Sequence, residues 1–190
     1  QLPAAPAPFG PAYLGPSVTD AHAETVIQER DLHARYKVAF HDRIEERIAE
    51  LLVTDRVVAR CAGRMEFGAR ALGNRSILAN PGDPRVVGLI NRMIKNRDFW
   101  MPFAPTVLAE RAADYLVNPK RLGSPYMMLA MPTTAGGGAA LPPAIHPQDA
   151  TARPQILERD WNPEYHAVIR EFERRTGTGA VLNTSFNLHG

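Results

Sequence analysis

Three features of the sequence predict an α/β (α+β) fold, a twisted mixed sheet covered by helices. Short apolar runs of strand length recur at 57–62, 76–79, 103–108 and 180–182. Between them lie segments whose apolar residues repeat with helical spacing. No internal repeat divides the 190 residues, and a chain of this length buries one sizeable core.

Taken in order, residues 1–16 carry Pro3, Pro6, Pro8, Pro11 and Pro16. That spacing excludes a helix or a central strand and predicts an extended arm or linker, to which a preceding domain would be joined. Residues 17–190 are expected to form the folded domain. Thr19 and Asp20 make an N-cap signature with Glu24 in the next turn, so a helix is expected to about residue 30. A second helix, at 41–52, places Ile44, Ile48, Leu51 and Leu52 on one face and Arg43, Glu45, Glu46, Arg47 and Glu50 outward. A buried strand over 56–61 follows. Asp83 and Pro84 open a third helix with Val86, Val87, Leu89, Ile90 and Met93 on its apolar side. Buried strands are expected at 103–108 and 126–131, with a helix near 109–116 between them. The Gly- and Pro-rich stretch 133–143 reads as a loop, and 153–158 as a strand. Asn162 and Pro163 cap a helix to about residue 176 with Tyr165, Val168, Ile169 and Phe172 inward, and Gly177 and Gly179 end it. The last strand, from Ala180, runs into Asn183, Thr184, Ser185 and Asn187.

Composition narrows the class of protein. Hydrophobic residues at 45% and charged residues at 22% are ordinary for a globular domain. Cys61 is the single cysteine, which excludes an intrachain disulfide and, at the end of an apolar run, predicts a buried thiol in a reducing cytoplasm. No apolar stretch approaches the ~20 residues that span a bilayer, and none resembles a signal peptide. A cytoplasmic location without membrane attachment is the expectation.

Chemistry concentrates in one stretch, Gly63-Arg-Met-Glu-Phe-Gly-Ala-Arg-Ala-Leu-Gly-Asn-Arg-Ser-Ile-Leu-Ala-Asn. Gly63, Gly68 and Gly73 permit positive φ and close approach to a ligand, and Arg64, Arg70 and Arg75 offer planar forks that match phosphate oxygens. From Gly63 to Arg97 seven basic residues face two acidic ones, a balance of +5, while the whole chain is +2 and the remainder therefore −3. A basic island in a slightly acidic protein points to a local anionic ligand. A nucleic-acid-binding or anion-binding module without catalysis is the alternative. The −3 balance elsewhere, and the lack of aromatics interleaved along a basic stripe, argue against nucleic acid.

Several motifs in one order carry a resemblance. They are the stretch from Gly63, Phe99-Trp-Met-Pro-Phe-Ala-Pro, Ser124-Pro-Tyr-Met, Asp149-Ala-Thr-Ala-Arg-Pro-Gln and Leu182-Asn-Thr-Ser-Phe-Asn. From about Leu14 to the last residue the chain resembles the C-terminal domain of the O-carbamoyltransferases of antibiotic and nodulation-factor biosynthesis. Ala69 departs from the pattern, where proline is expected. Lys95-x-Arg97 and Ser185-x-Asn187 are similar to signatures of the wider YrdC-like family. The resemblance implies a YrdC-like sheet around a basic concave site, ATP with Mg²⁺, and carbamoyl phosphate as co-substrate. It implies formation of carbamoyl-adenylate with release of phosphate and pyrophosphate. A preceding Kae1-like domain of the same polypeptide, holding iron or a similar metal, would then carbamoylate a hydroxyl of a natural product or sugar. The six histidines contain no H-x-x-x-H pair, so that metal site is not expected here, and relatives are expected to continue past the last motif.

ATP brings about four negative charges and carbamoyl phosphate about two, so the expected catalytic work is charge cancellation and positioning, with no protein nucleophile. On this reading Arg70, Arg75, Lys95 and Arg97 carry catalysis. Lys95 and Arg97 contact the triphosphate, and Arg64, Arg70, Arg75 and Arg153 hold carbamoyl phosphate and carbamoyl-adenylate. Ser185 and Asn187 give neutral hydrogen bonds, and Asn183 and Thr184 join them as binding residues or simply end the strand. Lys95 and Arg97 also suit the C-terminal end of a helix. Glu66 is read as a salt-bridge partner of Arg64 and Arg70 in preference to a Mg²⁺ ligand.

Overall fold

The computed structural model describes residues 10–95 and 101–187. The chain runs β1 (Ser17–Val18), α1 (Asp20–Glu29), α2 (Ile44–Val53), β2 (Val58–Cys61), β3 (Gly63–Arg64), β4 (Arg75–Ala79) and α3 (Arg85–Ile90). A π-helical turn, Asn91–Lys95, extends α3. Then come β5 (Ala104–Leu108), α4 (Ala112–Tyr115), β6 (Met131–Pro132), α5 (Ala135–Ala140), β7 (Thr151–Ala152), β8 (Gln155–Leu157), α6 (Pro163–Thr176) and β9 (Ala180–Ser185).

Five strands form an open mixed sheet in the order β2-β4-β9-β5-β8. The first three pairings are antiparallel and β5 with β8 is parallel. Register follows side-chain alternation. Val58, Leu78, Val181, Leu108 and Leu157 share a face with Ile48, Leu52, Tyr165, Val168, Ile169 and Phe172 of α2 and α6. Ala79, Leu182, Val107 and Ile156 turn to the other face, which Val86, Ile90, Tyr115 and Leu141 cover.

The two helices with the clearest apolar periodicity form where expected. Asn162 accepts from the Tyr165 amide through Oδ1 at 3.1 Å, Pro163 occupies the first turn, and Gly177 ends α6 at φ 79°. Thr19 caps α1 by accepting from His22 N at 3.2 Å. The helix α1 nevertheless buries none of its residues, in keeping with its weak apolar stripe. No helix among the described residues is long and apolar enough to cross a membrane.

Three local expectations are corrected. The strand expected at 126–131 shrinks to β6, because Met127 takes φ 55° and breaks the extended path. The loop expected at 133–143 contains α5, which Thr134 caps by accepting from Gly137 N at 2.9 Å. Gly137 fits there because a Cβ would overlap the carbonyl of Tyr115. The strand expected at 153–158 forms as β8, Gln155–Leu157, while β7 lies before it and pairs with β6. Cys61, expected to be buried, is exposed, and the neighbouring Arg60 is buried, where it finds three acceptors on the inner face of β2.

Candidate functional site at the basic end of the sheet

The antiparallel pairings bring the end of β2, the start of β4, the end of β9 and the start of β5 to one end of the sheet. The start of β8 lies there too, through its parallel pairing with β5. The glycine loop 63–74 leaves β2 at this end and returns into β4. Arg153 lies just before β8, and Ser185 closes β9 opposite Ser76 of β4. Residues far apart in sequence thus meet because of strand order.

Lys95, at the end of the π-helical turn, is fully buried. Its Nζ donates to the carbonyl oxygens of Ser185 at 2.6 Å and Asn187 at 2.5 Å, and to Ser185 Oγ and Asn187 Oδ1, both at 3.1 Å. Ser185 Oγ also donates to Asn187 Oδ1. An ammonium taken out of water needs this density of acceptors. The following amide, Phe186 N, donates to Arg75 O at 3.1 Å, which ties the cluster to the root of the glycine loop.

The three loop arginines have different surroundings. Arg75 Nη1 donates to the carbonyls of Ala62 at 2.7 Å and Asn74 at 2.8 Å, and its Nη2 to that of Gly63 at 3.3 Å. Arg64 reaches back to the N-terminal arm, with Nε on Gly15 O at 3.1 Å and Nη2 on Leu14 O at 3.0 Å. Arg70 is exposed and forms no hydrogen bond or ion pair among the described residues. Arg153 is exposed, and Asn183 and Thr184 are buried. Asn183 donates through Nδ2 to Ala71 O at 3.1 Å and Thr106 Oγ1 at 3.0 Å, so it supports the loop from beneath. Among the described residues its buried Oδ1 has no hydrogen-bond partner. Arg97 lies outside the described residues.

Several residues that build this site were missed or misread in the sequence. Glu66 bridges neither Arg64 nor Arg70: its Oε1 accepts from the amides of Leu72 at 2.9 Å and Asn74 at 2.6 Å. Burial pushes its carboxyl above the usual range, opposed by those amides. Arg60 donates to Gly73 O at 2.7 Å, Asn74 Oδ1 at 3.0 Å and Glu164 at 3.3 Å, and burial lowers its pKa. Asn162 donates to Asn74 Oδ1 at 2.9 Å, and Gln155 to Leu72 O at 3.1 Å. Gly73, at φ 114°, sits so close to Tyr165 that a Cβ would overlap its ring. A charged residue inside an otherwise apolar strand run, Arg60, was the one signal in the sequence that pointed to this floor. Among the described residues, no group of three or more His, Cys, Asp or Glu side chains is placed to hold a metal ion.

An open mixed sheet with a glycine loop, a buried ammonium and an exposed arginine at one end defines an α/β domain with a basic site at its strand ends. The family described as carbamoyltransferase C-terminus matches residues 49–190, and the chain belongs to that family. An uncharacterized protein of Methanocaldococcus jannaschii is 43% identical over 142 residues, covering 75% of this chain and 23% of that protein. Nodulation protein NolNO of Sinorhizobium fredii is 41% identical over 147 residues, covering 77% and 22%. Nodulation protein NolO of Bradyrhizobium diazoefficiens is 35% identical over 176 residues, covering 92% and 32%. The chain therefore spans between 22% and 32% of the length of these three relatives.

Proposed function

We propose that this chain is the ATP-dependent, carbamoyl-adenylate-forming part of a larger carbamoyltransferase. Family membership supports carbamoyl chemistry. The observation that carries the finer reading is the meeting of Lys95, Ser185 and Asn187 with the root of the arginine loop at one end of the sheet.

In the proposed reaction, carbamoyl phosphate and water give carbamate and inorganic phosphate. A carbamate oxygen then attacks the α-phosphorus of ATP, and the bond from that phosphorus to the pyrophosphate oxygen breaks. The products are carbamoyl-adenylate, pyrophosphate and phosphate. Both steps gather anionic oxygens, so the contribution of the protein is positive charge and fixed donors. Arg70, exposed on the loop tip, takes a phosphate, with Arg97 and Arg153 as further cationic contacts. Arg75 and Lys95 supply field from positions fixed by their own hydrogen bonds, and Mg²⁺ arrives on the nucleotide phosphates. The acceptor hydroxyl and the transfer step belong to a Kae1-like domain elsewhere in the polypeptide, joined through the arm at 1–16.

The test is release of pyrophosphate and phosphate by the chain given ATP, Mg²⁺ and carbamoyl phosphate. Carbamoyl-phosphate-dependent pyrophosphate release, lost in Arg70→Ala and Arg97→Ala, is the expected result. No release, together with oligonucleotide binding that falls steeply with salt, would replace this reading with a nucleic-acid-binding module.

A further inference from the structure

The arm before α1 does not run free of the domain. Ser17 and Val18 pair with Arg64 and Gly63. Met65 N donates to Pro16 O at 2.9 Å, Gly15 N to Met65 O at 3.1 Å, and Phe67 N to Ala12 O at 2.7 Å. Ala12 is buried. Arg64 clamps the carbonyls of Leu14 and Gly15, and the Tyr13 hydroxyl donates to Leu72 O at 2.8 Å. Leu72 O also accepts from Gln155 of the sheet, so one loop carbonyl is held from both sides. Tyr126, between α4 and β6, donates to Gly10 O at 2.9 Å.

These bonds divide the loop into three parts. Its outgoing limb, 63–67, is paired with the arm. Its returning limb is buried at 71–74 on Arg60, Gln155, Asn183 and Ser76. Residues 68–70 between them are exposed and carry Arg70. Where Arg70 stands is therefore set by the separation of two limbs, and Tyr13 and Arg64 are the side chains that link the arm to both.

We infer that the arm is a positioning strap for the basic site, with Tyr13 and Arg64 as positioning residues that fix the glycine loop and so place Arg70 for its anionic ligand. The ligand part of this inference rests on the proposed function, whereas the mechanical part stands on the hydrogen bonds alone.

Tryptic cleavage after Arg70, followed by mass spectrometry on the whole chain, reads the order of the loop tip. Tyr13→Phe removes one hydroxyl and keeps the ring, and Arg64→Ala removes two donated bonds. Tyr13→Phe is expected to speed cleavage after Arg70 by about threefold to tenfold, the worth of one hydrogen bond, and Arg64→Ala by more. The melting temperature of Tyr13→Phe should stay close to that of the parent. The affinity for ATP plus carbamoyl phosphate should fall by a similar factor, and saturating ligand should restore protection, which a purely structural role would not do. Unchanged cleavage after Arg70 in both folded variants would overturn the strap. Absence of ligand binding by the unaltered chain would overturn the proposed function, while the cleavage rates would still decide on the strap.

Discussion

The root and the tip of the glycine loop contain the same residue types, glycine and arginine, in opposite surroundings. At the root, Arg75 spends its donors on three carbonyls and Gly73 lies against the Tyr165 ring. At the tip, Arg70 is exposed and Gly68 has nothing within reach of an added Cβ. A basic glycine-rich motif is thus two things at once: a rigid frame built from some of its arginines, and a presented cation built from another. Charge counting treats all of them alike, and hydrogen-bond geometry separates them.

The largest expected effect belongs to Gly73. Gly73→Ala meets both the Tyr165 ring and a backbone at φ 114°, and should destabilise the chain by about 3–5 kcal/mol in denaturant unfolding. Gly68→Ala at φ 128° meets only backbone strain, about 1–3 kcal/mol. Equal losses at the two glycines would erase the distinction between root and tip.

The arginines sharpen the same contrast. Arg75→Ala removes the arginine donor from the partly buried Ala62 carbonyl, and should cost about 1–3 kcal/mol of stability. Arg70→Ala should leave stability within about 0.5 kcal/mol, while lowering carbamoyl-phosphate-dependent pyrophosphate release by about 10²–10³. Activity loss in Arg75→Ala that is matched by its loss of folded protein would mark it as frame.

The smallest effect concerns Glu66. Its carboxyl titrates higher in the folded chain than in the unfolded one, burial being the larger cause. The folded state therefore takes up the proton more readily, and the stability linked to that proton is present at low pH and lost as pH rises through the folded pKa. The stability of the parent relative to Glu66→Gln should accordingly increase as pH falls through the carboxylate range. A flat difference would place Glu66 in water.

Much of this architecture was legible in sequence where the signal is local. The helix α6 shows its cap, its apolar stripe and its terminal glycine within one continuous segment, and α2 shows its stripe. The strands β4, β5 and β9 are short apolar runs. The site was legible as a set of motifs but not as an arrangement. Arg64, Arg70 and Arg75 look equivalent in sequence, because their partners lie elsewhere: the arm for Arg64, the loop's own carbonyls for Arg75. Glu66 was misread for a similar reason, since backbone amides leave no mark in a sequence. The helix α5 was hidden by three glycines in succession, which have poor helix propensity and form a helix here through the Thr134 cap and packing against Tyr115.

Amide hydrogen exchange across residues 63–75, with and without ATP, Mg²⁺ and carbamoyl phosphate, tests most directly whether the loop is a fixed frame with a presented tip. The expected result is slow exchange at Leu72, Gly73 and Asn74 in both conditions, and protection at 68–70 gained only with ligand. Equal, fast exchange at root and tip without ligand, or a tip that ligand leaves unchanged, would contradict it.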